Sequence, residues 1–214
     1  ALDQDEWENL YVLAGGARGT RILDMKSEAF APFNGTSLAE ISAHLGKSPE
    51  EAILDLILAE KGDPTAIFFH GSEENLQTIL KQPWVCLGSD IGSFTREARQ
   101  VTHPRAFGSF ARFLGHYCRE LGLMPLEEGI RRITSLPASL LGIDQQRGCL
   151  RPGYFADITV FDPATIQDIA TYEAPLQYAT GVQHVLVNGQ VVVENGVHTG
   201  AKPGSFVRGP GNYT

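Results

Sequence analysis

Asp90 is the first residue whose type and position suit chemistry. It follows the apolar residues 84–87 in the order Gly88-Ser89-Asp90, and that continuous apolar run is typical of a strand buried on both faces. A carboxylate just past the end of such a strand can accept a proton and return it. The same three residues also suit a turn in which the aspartate bonds the backbone, and the local sequence leaves both interpretations open.

Arg105 is the second such residue, and it follows Pro104 in a predicted loop. A guanidinium group in a loop can hold the carboxylate of a small molecule through two parallel hydrogen bonds. The alternative is a surface arginine paired with Glu97. His103, two residues before Arg105, is predicted to be a structural loop histidine.

Residue types that bind metals are present but scattered. The histidines are His44, His70, His103, His116, His184 and His198, and the cysteines are Cys86, Cys118 and Cys149. They form no H-x-H and no C-x-x-C pair, so no group has the ligand spacing of a tetrahedral site. We therefore predict no metal ligand in this chain, and Cys86 is interpreted as a small buried hydrophobe.

Composition and charge restrict the class of partner. The 214 residues carry a formal net charge of −8, with 43% hydrophobic and 20% charged residues, and they include no Lys/Arg-rich run. This balance argues against a nucleic-acid or anionic-membrane surface and favours a small solute. No signal peptide is evident, and no stretch approaches the roughly 18 apolar residues of a membrane span. Few cysteines favour a reducing compartment, which we take to be the cytoplasm.

The elements that must position Asp90 and Arg105 indicate an α/β arrangement followed by a β-rich tail. Capping boxes predict helices that begin after Ser37 and Ser48, and the second of these is apolar enough to be buried. Further helices are predicted over residues 73–81, 107–121 and 126–134, and strands over Leu10–Leu13, residues 66–69 and residues 84–87. Beyond residue 147, residues 156–162 alternate like a strand, and Asn188-Gly189 between β-branched runs predicts a hairpin.

Several motifs together resemble the N-acyl-D-amino-acid deacylase (D-aminoacylase) family of the amidohydrolase superfamily, and their order and spacing are as specific as the motifs themselves. In the first part of the chain they are Gly88-Ser89-Asp90, His103-Pro104-Arg105, Leu114-Gly115-His116-Tyr117 and Thr134-Ser135-Leu136-Pro137-Ala138. The tail adds Gly153-Tyr154-Phe155-Ala156-Asp157, Val187-Asn188-Gly189 and Thr199-Gly200-Ala201-Lys202-Pro203-Gly204.

This resemblance implies the C-terminal portion of a (β/α)8 barrel with a helical insertion, followed by strands of a small β-sandwich domain. Residues 1–147 would belong to the barrel, with residues 15–65 as the insertion, and residues 148–214 to the sandwich. Leu10–Leu13 and residues 84–87 would be the seventh and eighth barrel strands. The first six strands would then be missing, and the start of the chain, without Met, also indicates a fragment.

The resemblance also implies the chemistry. In the family an aspartate at the position of Asp90 is the general base and acid beside a zinc ion, and the arginine of the H-P-R motif, here Arg105, binds the substrate carboxylate. Zinc would belong to the full-length enzyme through ligands upstream of this chain. The reaction would be hydrolysis of N-acyl-D-amino acids, and the isolated chain would be inactive and bind no zinc.

Two alternatives remain at this point. Another amidohydrolase, a cyclic amidase or deformylase, would act on a substrate without a free carboxylate and would leave Arg105 idle. A non-catalytic, partner-binding domain would use the helices and the β tail only as a scaffold. An incomplete barrel leaves open strand edges, so we expect the missing N-terminal half or a second copy of the chain as a partner.

Overall fold

The computed structural model of the protein describes residues 8–62, 64–92 and 102–211. The chain divides into two compact units that are interleaved in sequence. The first comprises Ala1–Glu73, Gly92–Ala106 and Thr171–Leu176, and the second comprises Glu74–Ile91, Phe107–Ala170 and Gln177–Thr214. The predicted domain boundary at residue 147 is not an end of either unit, and that division of the chain stays a prediction.

Within its described residues, the first unit combines three helices with a two-stranded sheet. Its elements are α1 (Leu10–Leu13), a 3₁₀ turn (Gly16–Gly19), β1 (Thr20–Leu23), a 3₁₀ turn (Ala31–Phe33), α2 (Leu38–Leu45), α3 (Pro49–Ala59) and β2 (Thr65–Phe68). Strands β1 and β2 are antiparallel, with Thr20 opposite Phe68. The predicted insertion at residues 15–65 therefore contains strand β1 as well as helices α2 and α3.

Capping residues determine where α2 and α3 begin, as predicted. Ser37 and Glu40 bond each other's backbone N–H groups, and Ser48 and Glu51 do the same one helix later. Helix α3 is only partly buried, however, because it carries apolar residues on more than one face. Leu56 is 2% exposed, whereas Leu58 is 77% exposed. The prediction of a buried helix is therefore wrong for the outer face of α3.

The predicted strand at Leu10–Leu13 is wrong, because these residues form helix α1. Asn9 is the reason: its side-chain oxygen accepts hydrogen bonds from the backbone N–H groups of Tyr11 and Val12 at 3.1 and 3.3 Å. An asparagine in this position satisfies the free amides of a helix start and so stabilises a helical turn over an extended chain. Four apolar residues in a row do not distinguish the two conformations.

Four helices, a π-helical segment and a four-stranded sheet make up the second unit where the structure describes it. The helical elements are α4 (Glu73–Leu80), α5 (Arg105–Arg112), a π-helical segment (Phe113–Glu120), α6 (Leu126–Ile133) and α7 (Ser135–Leu140). The first residue of α4 and the first two of α5, Arg105 and Ala106, are counted with the first unit. The strands are β3 (Ile158–Phe161), β4 (Val182–Val187), β5 (Gln190–Glu194) and β6 (Val197–His198), antiparallel in the order β3-β4-β5-β6. The helices predicted at residues 73–81, 107–121 and 126–134 and the β-rich tail are confirmed.

The predicted hairpin is confirmed, and the family-like tail motif holds it in place. Asn188 and Gly189 have φ of 48° and 81°, so both turn residues adopt the left-handed conformation that such a turn needs. The carboxylate of Asp157 accepts a hydrogen bond from the backbone N–H of Asn188 at 2.8 Å. Arg147 binds Asp157 and donates to the side-chain oxygen of Asn188 at 3.0 Å. The turn is thus fixed by side chains from two other segments.

The predicted strand at residues 84–87 is also wrong. Trp84 lies in a turn, and within the part of the chain that the structure describes residues 84–87 pair with no strand. A strand exists only where a neighbour completes its hydrogen bonds, and an apolar run does not reveal whether one is present. Trp84 is 71% exposed, which is far from burial on both faces. Cys86, half-buried, therefore does not lie inside a strand.

Two glycines allow close packing within the second unit. A Cβ on Gly115 would lie 2.3 Å from the carbonyl oxygen of Ile166, and one on Gly129 would lie 2.6 Å from Sγ of Cys118. Neither distance is tolerable between nonbonded atoms, so only glycine fits. Gly115 belongs to the Leu114-Gly115-His116-Tyr117 motif, in which Leu114 and Tyr117 are buried core residues. That motif therefore serves packing.

Several large apolar side chains remain on the surface. The most exposed are Phe206, Leu150, Leu58, Trp84 and Val197, with exposed fractions between 69% and 87%. The expectation of a partner, whether a second copy or the rest of the family fold, stays a prediction. Among the described helices, none combines the length and apolarity that a membrane crossing requires.

Candidate functional site

The segment that leads to Asp90 is anchored by two neighbouring arginines of α6. Arg132 donates to the carbonyl of Leu80, the last residue of α4, and Arg131 donates to the carbonyl of Pro83 at 2.6 Å. Both guanidinium groups also bind Glu128, Arg131 at 2.7 and 2.8 Å and Arg132 at 2.7 Å. The start of the segment is thereby tied to α6 by charge-assisted hydrogen bonds.

Asp90 lies at the end of this segment. Leu87 packs against the hydrophobic core of the second unit, which holds the chain just before the Gly88-Ser89-Asp90 sequence. Asp90 has φ of 48° and an exposed side chain. Aspartate tolerates this left-handed conformation better than most residues, because its short side chain bonds locally. The arrangement places an ionisable carboxylate at the surface on a defined backbone.

The pairing of Glu128 with Arg131 and Arg132 has a clear electrostatic consequence. Hydrogen bonds from Arg131 first, and Arg132 second, lower the pKa of Glu128 from 4.5 to about 2. Arg132 is the buried partner, since its side chain is 4% exposed against 39% for Arg131. Sequence reasoning missed this group, because an Arg-Arg pair in a helix is normally interpreted as a solvated surface.

Arg105, the second predicted residue, is the first residue of α5 and is exposed. Its backbone N–H, one of the amides that a helix start leaves without a helical partner, donates to Nδ1 of His103 at 3.0 Å. The carbonyl of His103 in turn accepts from the N–H of Ala106 at 3.0 Å. His103 therefore fixes the backbone at the base of the Arg105 side chain. Glu97, the alternative partner of Arg105, lies outside the described residues.

His103 is itself held from a distant part of the chain. Its Nε2 lies 3.3 Å from the hydroxyl oxygen of Tyr172, and the two rings meet edge to face with centroids 5.2 Å apart. Because Nδ1 accepts a backbone hydrogen bond, Nε2 carries the proton and donates to Tyr172. Burial, and then the charge of Arg105, lower the pKa of His103, which favours this neutral form.

A cluster of aromatic and charged side chains surrounds Tyr172 within the first unit. The Phe69 ring packs edge to face on Tyr172 at 4.7 Å, and the guanidinium of Arg21 lies 5.4 and 5.8 Å from these two ring centroids. Arg21 also pairs with Glu173 at 3.4 Å. Tyr172 is 69 residues from His103. No local sequence signal reveals such a contact.

The structure thus brings His103 and Arg105 together in the first unit, while Asp90 belongs to the second. For metals, the described residues contain no group of three or more His, Cys, Asp or Glu side chains that could hold an ion. His116, for example, bonds Glu120 at 2.8 Å, and Cys118 belongs to the hydrophobic core. These residues therefore do not by themselves fit a zinc site.

Comparison with known proteins gives the family. The chain is 41% identical over 175 residues to a D-aminoacylase of Alcaligenes xylosoxydans xylosoxydans, a match that covers 82% of this chain and 34% of the relative. A crystal structure of D-aminoacylase superposes with a TM-score of 0.76 at 38% identity, covering 89% of this chain and 37% of that one.

A second solved structure is the N-acyl-D-glutamate deacylase of Bordetella bronchiseptica, complexed with zinc and a phosphonate mimic of the tetrahedral intermediate. It superposes with a TM-score of 0.72 at 37% identity, covering 84% of this chain and 35% of that one. The chain thus spans about a third of the length of the relatives it matches. The model of the amidohydrolase family matches residues 28–193. That match covers well over half of the sequence, and the chain belongs to the amidohydrolase family.

Proposed function

We propose that this chain forms the C-terminal part of an enzyme that hydrolyses the amide bond of N-acyl-D-amino acids. The observation that carries the proposal is its 36–41% identity to a D-aminoacylase, an N-acyl-D-aspartate deacylase and an N-acyl-D-glutamate deacylase. In that enzyme the chain completes a (β/α)8 barrel and its small β-sandwich domain. The four-stranded sheet of the tail supports the sandwich assignment.

Asp90 is the proposed general base and acid. Its carboxylate takes a proton from the attacking water as the water oxygen bonds to the amide carbon. It then gives that proton to the amine nitrogen as the carbon–nitrogen bond breaks, so that the products are a carboxylate and a free amino acid. The exposed position and defined backbone of Asp90 support this role, since the carboxylate must reach both water and substrate.

Arg105 is the proposed anchor for the substrate carboxylate. Its planar guanidinium presents two parallel N–H donors, which match the two oxygens of a carboxylate. Two features support the role: the side chain is exposed, and the backbone that bears it is fixed through His103. Because this backbone is already ordered, less conformational entropy is lost when Arg105 binds the substrate.

We expect Arg105→Ala, in the active enzyme, to raise KM for N-acyl-D-amino acids with little change in kcat. The carboxylate contact is present in both ground state and transition state, so it contributes uniform binding. Loss of one charge-assisted pair should cost about 1.5 to 3 kcal/mol, which corresponds to roughly a tenfold to 150-fold fall in kcat/KM. Steady-state kinetics measure this directly.

Arg105→Lys tests the geometry, since lysine keeps the charge but not the paired donors, and should recover only part of the loss. Exposed Arg151 is the matched control, and Arg151→Ala should leave kcat/KM unchanged. Comparing each acyl amino acid with its carboxamide separates this function from a cyclic amidase or deformylase. An enzyme that prefers the carboxamide, with Arg105→Ala indistinguishable from wild type, would contradict the proposal.

Zinc dependence is part of the proposal for the complete enzyme, and the zinc in the related N-acyl-D-glutamate deacylase supports it. The described residues of this chain do not supply a ligand set. We therefore expect the 214-residue chain on its own to retain no stoichiometric zinc after dialysis, which metal analysis can measure. About one tightly held zinc per chain would show that the ligand assignment is wrong.

A further inference from the structure

We propose that His103, held by Tyr172, is a positioning residue that sets the direction of the Arg105 side chain and so the affinity for the substrate carboxylate. The inference rests on the proposed function and names two residues that act through Arg105. Its first support is the hydrogen bond from the backbone N–H of Arg105 to Nδ1 of His103. This bond joins the side chain of His103 to the backbone of Arg105, and it therefore restrains the backbone from which the Arg105 side chain extends.

The link is short in sequence and restricted in conformation. Only Pro104 lies between the two residues, and its ring fixes φ near −65°. With Pro104 restricted and the N–H of Arg105 bonded, the His103 ring restrains the backbone at the start of α5, from which the Arg105 side chain extends. Loss of that restraint would let the base of a long side chain shift, and the guanidinium at its end would shift further.

Tyr172 fixes the ring of His103 in turn. The Nε2–Oη contact of 3.3 Å and the edge-to-face packing at 5.2 Å restrain both rotation and tilt. Tyr172 is itself restrained by Phe69 and lies beneath Arg21, which is bound to Glu173. Each ring nitrogen of His103 thus has one partner: the backbone N–H of Arg105 at Nδ1 and the hydroxyl of Tyr172 at Nε2.

The position of His103 beside a cation fits this assignment. A protonated imidazole would lose its acceptor at Nδ1 and would place a second positive charge near Arg105. Its half-buried environment disfavours that charged form. The neutral histidine can accept from Arg105 and donate to Tyr172 at the same time, which neither a lysine nor an aliphatic residue can do.

Two near-isosteric variants test the inference in the active enzyme. Asparagine places its side-chain oxygen where Nδ1 lies, whereas the longer glutamine carries its amide toward the Nε2 position. We expect His103→Gln to raise KM for acyl amino acids by about three- to tenfold, the size expected for one neutral hydrogen bond, with kcat within about twofold. His103→Asn should recover most of this loss, and Tyr172→Phe should show an intermediate rise.

A role in folding alone would lower activity toward acyl amino acids and their carboxamides equally. The inference requires a rise in KM confined to substrates with the carboxylate, and an equal change for both classes would overturn it. The proposed function is judged separately, by whether the unmodified enzyme hydrolyses acyl amino acids at all. The amide hydrogen exchange rate of Arg105 then tests the inference without activity: faster exchange in His103→Gln than in His103→Asn supports it, and equal rates overturn it.

Discussion

Replacing Asp90 by asparagine in the active enzyme is expected to lower kcat by roughly 10²- to 10⁴-fold, the usual contribution of general acid–base catalysis. Asparagine keeps the size and much of the hydrogen-bonding shape of aspartate, but it cannot accept a proton and return it at neutral pH. It also tolerates the positive φ of 48° at this position, so the backbone has no reason to change. Substrate binding and folding should therefore survive, and kcat should carry the loss.

Asp24 offers a matched control for this experiment. It is also an aspartate with positive φ, at 53°, and it lies in a segment with no proposed role in the reaction. Asp24→Asn should leave kcat within about twofold of wild type, whereas Asp90→Asn should not. Near-normal turnover by a well-folded Asp90→Asn enzyme would remove Asp90 from the mechanism, and with it the residue that connects this chain to catalysis.

Local signals predicted the parts of the fold that local chemistry determines. The capping boxes at Ser37 and Ser48 satisfy helix amides within three residues, so the starts of α2 and α3 are encoded where they occur. The same holds for the turn at Asn188 and Gly189, whose left-handed conformation few other residue pairs adopt. These elements could be predicted without knowing what packs against them.

Strands whose identity depends on distant partners could not be predicted in this way. The apolar residues 84–87 match a buried strand by pattern, but whether they form one depends on neighbours elsewhere in the structure. At Leu10–Leu13 the Asn9 cap favours a helix over a strand, and this signal is present in the sequence beside the apolar run. In both cases hydrophobicity indicated burial without fixing the conformation.

The candidate site likewise contains residues that the sequence predicted and residues that it did not. Asp90 and Arg105 were proposed from motifs, because the residue types and their order are visible in the sequence. The residues that position them were not, since Tyr172 reaches His103 across 69 positions and Arg132 reaches Leu80 across 52. Contacts of that range follow from the packing of whole elements, which no short motif specifies.

Arg132→Leu is expected to destabilise the protein by about 2 to 4 kcal/mol, because it removes a buried cation that bonds the carbonyl of buried Leu80 and the partly buried carboxylate of Glu128. The carbonyl of Leu80 would lose its donor, and Glu128 would keep only Arg131. Leucine fills part of the volume, so the loss should come mainly from the unsatisfied polar atoms. Denaturant unfolding monitored by circular dichroism gives the change in free energy of unfolding.

The neighbouring Arg131 is the matched control, since it binds the same glutamate from an exposed position. Arg131→Leu should cost only about 0.2 to 1 kcal/mol, as is usual for exposed ion pairs.

The dependence of stability on acid pH provides a second test. Because the pKa of Glu128 is lowered in the folded state, the stabilisation it provides is present above pH 4.5 and is lost as pH falls toward 2. In both variants the free energy of unfolding should fall less between pH 4.5 and pH 2, because each variant removes hydrogen bonds that lower the pKa of Glu128. Equal destabilisation by Arg131→Leu and Arg132→Leu would contradict the buried role of Arg132, and with it the anchoring of the segment that ends in Asp90.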